Sequence, residues 1–165
     1  MKLAISYFYQ IRFFKPYMIP VSTAHWDPDW YHDWMGAAHV FVDKRGVING
    51  LRTNTLNTGA LQKRGLIEEC PCKVKDPTKC QFVLTYEKAL SEAIDEQWSN
   101  IYEELNQFST KWCKINHIVQ EPIIVFIVHE APWNKCSERW SWLKIFKEKG
   151  IDCQELKYPI KENYE

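Results

Sequence analysis

The stretch VHEAPWNKCSERW, residues 128–140, closes an apolar run and turns at Pro132 into a helix-like segment. It carries an imidazole (His129), two carboxylates (Glu130, Glu138), a thiol (Cys136), a hydroxyl (Ser137) and a guanidinium (Arg139). Open α/β sheets bind ligands beyond the carboxyl ends of their strands, which is where this set falls. The start of the following helix offers unpaired N–H groups and a partial positive charge, both favourable to an anion. Arg139 adds a planar fork suited to phosphate or carboxylate. Asn134 and Ser137 stand at the same turn, either as ligand contacts or as helix caps. A helix terminus also lowers a thiol's pKa, so Cys136 is a candidate nucleophile; its other reading is a small buried apolar residue. Glu130 is a candidate base or a partner for a sugar hydroxyl. Glu138 opposes the anion and the thiolate, and is also the charge a helix's first turn favours.

Two further clusters have the residue types for chemistry. Cys70, Cys72 and Cys80, spaced C-x-C-x7-C, are candidate zinc ligands that need a fourth partner; reduced thiols on a turn are the other reading. HWDPDWYHDW, residues 25–34, holds three Trp, one Tyr and two His around turn-forming Asp and Pro. Its rings either stack on a nucleobase or form a lid or satellite core. His25, His32 and His39 are spaced by seven, and packed rings explain them as well as a metal triad does.

These groups need elements to hold them. Residues 3–10 (LAISYFYQ) and 18–25 (MIPVSTAH) read as strands, the second either at a sheet edge or with an irregular start because of Pro20. The edge rule then adds Ser6, Tyr7 and Tyr9 after the first strand, and Ser22, His25 and Trp26 after the second. Residues 80–94 read as a helix. Trp98, Ile101, Leu105, Phe108, Trp112 and Ile115 recur at three- and four-residue steps, the mark of a core-facing helix. PIIVFIVHE, residues 122–130, is apolar throughout, as in a strand buried on both faces of a parallel sheet. Residues 136–150 read as an amphipathic helix with Trp140, Leu143 and Phe146 on one face and Gly150 as its left-handed stop. Residues 152–159 complete a strand–helix–strand unit. The expectation is one α/β, Rossmann-like domain over residues 1–165, with a mostly parallel sheet flanked by helices. Residues 35–80 form a long insertion ending in the cysteine-bearing turn.

Composition limits the partners. The 165 residues include 21 basic and 21 acidic side chains, so no overall basic field draws the chain to duplex nucleic acid. No stretch approaches the roughly 20 apolar residues of a membrane span. The N-terminal residues read as a strand and not as a signal peptide. The expected setting is cytoplasmic, with the six cysteines kept reduced or used as metal ligands.

The strand IIVFIVHEAP, the turn to CSER, the helix ending in KG and the strand CQEL resemble the C-terminal half of the proteins grouped as domain of unknown function 488. SYF followed by MIPVSTAHWDP is similar to that family's opening. The resemblance covers both ends of the chain, with a looser middle. Cys136 matches the family's cysteine and Glu130 its glutamate. Where many members have Cys-His-Arg, this chain has Cys136-Ser137-Glu138-Arg139, so the histidine is missing there and His129 could serve from the strand side. The resemblance implies a Rossmann-like fold and brings no established activity with it. The expected function is binding of a nucleotide or other phosphate-bearing ligand, or of a nucleic-acid end, at the sheet's carboxyl edge, with hydrolysis or transfer as the reaction of an enzyme. The alternative is a non-catalytic module that sequesters a nucleotide signal or binds a protein partner.

Overall fold

The computed structural model of the chain describes residues 1–23, 31, 76, 78–128 and 138–157. They form a four-stranded sheet, all parallel, in the order β2-β3-β1-β4, flanked by helices: an α/β fold of the Rossmann-like kind. The strands are β1 (Lys2–Tyr7), β2 (Met18–Ser22), β3 (Ile123–Val128) and β4 (Gln154–Glu155). Helix α1 (Gln81–Ile115) precedes β3, helix α2 (Glu138–Glu148) follows it, and a 3-10 helix (Phe8–Phe13) links β1 to β2. The expected insertion at 35–80, apart from residues 76 and 78–80, lies outside the described residues.

Strand β3 takes the centre, between β1 and β2, and Ile124–Val128 are all buried. An uninterrupted apolar run is what a strand covered on both faces requires. β2 lies at the edge, as Pro20 demands. Ile123 N–H donates to Tyr17 O, and Thr23 N–H donates to Ile127 O. The odd-numbered residues of β2 therefore face β3, and Pro20 turns outward, where a missing N–H breaks no ladder bond. Its outward carbonyl accepts from the Tyr31 hydroxyl at 3.1 Å, and that hydroxyl is also bonded to the backbone of Ser22, the next outward residue. One phenol hydroxyl thus meets two outward-facing backbone groups of this edge.

The first strand is shorter than the sequence reading. It stops at Tyr7, and the chain tightens into the 3-10 helix, closed by Phe14 N–H to Ile11 O. Aromatic and β-branched residues suit strands, but Phe8 and Ile11 stand three apart and both are buried, which is the repeat of a 3-10 turn. The second strand likewise ends at Ser22 and not at residue 25, with Thr23 still bonded to β3.

The two helical segments expected at 80–94 and 98–115 are one helix of 35 residues, α1. No Gly or Pro interrupts them, so nothing stops propagation. Ile101, Leu105, Phe108 and Trp112 are buried as the periodicity requires. Ile115 is not; it is 42% exposed, because α1 ends there and has passed beyond its packing partners. On α2, Phe146 is buried, but Trp140 and Leu143 are only half-buried, while Arg139 and Trp142 are fully covered. The reason is two-sided packing. Trp142 stacks on Phe126 of the sheet at 5.0 Å and donates its indole N–H to Tyr86 of α1 at 2.9 Å. Lys144–Glu87 and Lys149–Asp95 pairs lie along the same α1–α2 seam. The last strand is also shorter than 152–159: Gln154 and Glu155 pair with β1, and Leu156 N–H adds one bond to Ile5 O.

Candidate functional site

At the carboxyl edge of the sheet, Ser6, Ile127 and Ser22 stand in one register row across β1, β3 and β2. Both serines are fully buried, and the Ser6 hydroxyl has no hydrogen-bond partner among the described residues. Thr23 follows, with its hydroxyl on Ile127 O at 2.9 Å. Tyr7, the last residue of β1, pairs in register with Val128 and is buried. The strand ends therefore collect hydroxyl groups at the place where the chain leaves the sheet.

Helix α2 brings the charge. Arg139, its second residue, is fully buried, and its Nη1 lies 2.9 Å from Glu155 Oε1 on β4. Its guanidinium carbon is 5.2 Å from the centre of the Tyr7 ring, within the range of a cation–π contact. Glu155 stands in register with Ile5, so β4 carries the carboxylate to within reach of α2's first turn. Burying a guanidinium without an anion is strongly unfavourable, and Glu155 supplies one.

Of the residues expected from sequence, Tyr7, Ser22 and Arg139 come to the same edge. His25, Trp26, His129, Glu130, Asn134, Cys136 and Ser137 lie outside the described residues, as do Cys70 and Cys72. Cys80 is buried at the start of α1. Among the described residues no group of three or more His, Cys, Asp or Glu is placed to hold a metal ion, and the zinc reading depends on the two cysteines beyond them. Glu155 was missed by sequence reasoning. An acid in a short last strand looks like a solvated residue, and only its register with Ile5 reveals that it faces α2. A cavity of about 350 Å³ lies at the other end of the sheet, lined by Leu3, Trp98, Tyr102, Ile151 and Asp152 among others, away from this edge.

No protein-family model, curated protein or solved structure matches the chain. No helix among the described residues is long and apolar enough to cross a membrane.

Proposed function

We propose that the chain binds a nucleotide or another phosphate-bearing ligand at the carboxyl edge of the sheet. The observation that carries this is Arg139: a permanent cation, fully buried, at the carboxyl ends of parallel strands, paired with Glu155 and lying against the Tyr7 ring. A guanidinium has five donors in a fixed fork, so it is able to hold a carboxylate and a phosphate together. The proposed contacts include Asn134 and Ser137, which precede α2 in the sequence, and His25 and Trp26, which follow β2 in the sequence. As an enzyme the protein would hydrolyse or transfer at the bound phosphate ester, with Glu130 or His129 moving the proton and Cys136 as the nucleophile. The likeness to domain of unknown function 488, the cytosolic setting and a zinc site at Cys70, Cys72 and Cys80 belong to this same proposal.

The Arg139–Glu155 pair favours a second reading, a non-catalytic binding module in which Arg139 only ties α2 to β4. One variant separates the two. Arg139→Met combined with Glu155→Leu removes both charges, a change that buried pairs often tolerate without loss of stability. For the native protein, ATP, GTP or pyrophosphate in large excess should raise stability by about 2–4 kcal/mol in a thermal-shift assay. The double variant should fold and lose that response. A response preserved in the double variant refutes the role given to Arg139.

A further inference from the structure

The carboxyl edge does not end at Arg139. Its guanidinium lies against Tyr7, the Tyr7 ring stacks with Tyr9 (centroids 6.3 Å apart, 18° between planes), and Arg12 lies over the Tyr9 ring at 3.9 Å. Phe13 stands beside Tyr9 at 6.0 Å. Two stacked rings lie between two cations in one ladder, Arg139–Tyr7–Tyr9–Arg12, from the protein interior to its surface. Arg139 and Tyr7 are buried, whereas Tyr9 is 41% and Phe13 43% exposed, and Arg12 is exposed.

The 3-10 helix produces this. Its buried residues, Phe8, Gln10 and Ile11, anchor it inward, which leaves Tyr9, Arg12 and Phe13 on the outside. Arg12 is held in place by its Nε, which donates to Tyr9 O at 3.1 Å, and among the described residues it forms no ion pair. The surrounding sequence does nothing to neutralise it: residues 1–26 contain Lys2, Arg12 and Lys15 and no acid. A rigid guanidinium plane and an exposed phenyl ring, adjoining an edge that takes phosphate, are the components with which proteins stack unpaired bases and follow a single strand. A buried patch for a protein partner would not need an uncompensated cation, and a duplex would need a broad basic face that a chain of zero net charge lacks.

We propose that the ligand is the end of a single-stranded nucleic acid. Its terminal phosphate lies at the Arg139 edge, and the adjoining nucleotides stack outward on Arg12 and Phe13. This rests on the edge binding phosphate, as proposed above. The test compares thymidine monophosphate, a single-stranded octathymidylate with a 5′-phosphate, and a duplex of the same length. Binding is measured by fluorescence anisotropy and competition on the native chain, on Arg12→Gln/Phe13→Ala, and on Arg139→Met/Glu155→Leu. The native chain should bind the single strand at least about ten-fold more tightly than the monophosphate or the duplex, the gain expected from one or two stacked bases. Arg12→Gln/Phe13→Ala should shrink the single-strand-to-monophosphate ratio about ten-fold at unchanged circular dichroism, because both residues are surface groups. A single strand that binds no better than the monophosphate, a preferred duplex, or a ratio indifferent to Arg12 and Phe13 overturns the proposal and leaves phosphate binding standing. Single-strand binding that depends on Arg12 and Phe13 but ignores the Arg139/Glu155 variant rejects the edge as the phosphate site, and with it this placement of the strand's end.

Discussion

Arg139 and Glu155 show how little of a buried ion pair a sequence displays. The arginine could be singled out because it follows an apolar strand and opens a helix, two features local to the chain. Its partner lies sixteen residues on, and the contact exists because β4 pairs with β1 at Ile5. The energetics of the pair are asymmetric. Its net contribution is small, since two charges were taken out of water to make it, but losing one member leaves the other buried with its attraction gone. Glu155→Ala should therefore cost on the order of 3 kcal/mol in a urea unfolding curve, and adding Arg139→Met should recover most of that. Equal stability of the single and double variants would mean that solvent, reaching in past the partly exposed Glu155, already screens the pair.

At the scale of elements, the two long helices end in the same way, and only one ending is written in the sequence. After α2, Gly150 adopts φ +73°, with Gly150 N–H on Lys147 O and Ile151 N–H on Phe146 O. This is the paired-bond ending that a glycine advertises. After α1 the left-handed residue is His117, φ +54°, and Ile118 N–H returns to Cys113 O. KINHI has no glycine to mark the left-handed position, only Asn116 as a weaker stop signal, and the conformation falls on a histidine, which adopts it at a cost. The two sites make opposite predictions. A side chain added at Gly150 meets no atom within 4 Å, so the penalty for Gly150→Ala is confined to the backbone, about 1 kcal/mol. His117→Gly relieves the same strain and should stabilise by up to about 1 kcal/mol, less the entropy glycine gives back to the unfolded chain. Urea midpoints for the two variants should move in opposite directions; movement in the same direction would refute the shared mechanism. The strands were legible to the same degree. β3 was plain because full burial removes polar residues. The end of β1 was not, because aromatic residues suit a strand and a 3-10 turn equally.

For the molecule as a whole, the sheet, its edge strand and its flanking helices could be read because their burial imposes period or continuity on the residues. Residues 35–66 carry neither, and five glycines among them remove what local preference there is, so no sequence argument could place them. Burial also leaves a mark on how the fold responds to pH. The Cys153 thiol is pushed up to about 12, mainly by burial and further by the neighbouring Asp152. Burial raises Cys113 and Tyr31 as well. Lys144 is raised by its bond to Glu87. All four hold their protons more tightly folded than unfolded. Above the ordinary thiol value of about 8.5, an unfolded chain releases protons that the folded one keeps, so rising pH favours unfolding. The stability these groups provide is complete below that pH and is lost as pH climbs through their folded values. Melting temperature should therefore decline steadily between about pH 8.5 and 11, and Cys153→Ala should make the decline shallower, since it removes the group with the largest window below pH 12. A flat profile over that range would show that these thiols reach water in solution. An unchanged slope in the variant would assign the alkaline loss to the other groups that hold their protons more tightly when folded, Cys113, Tyr31 and Lys144.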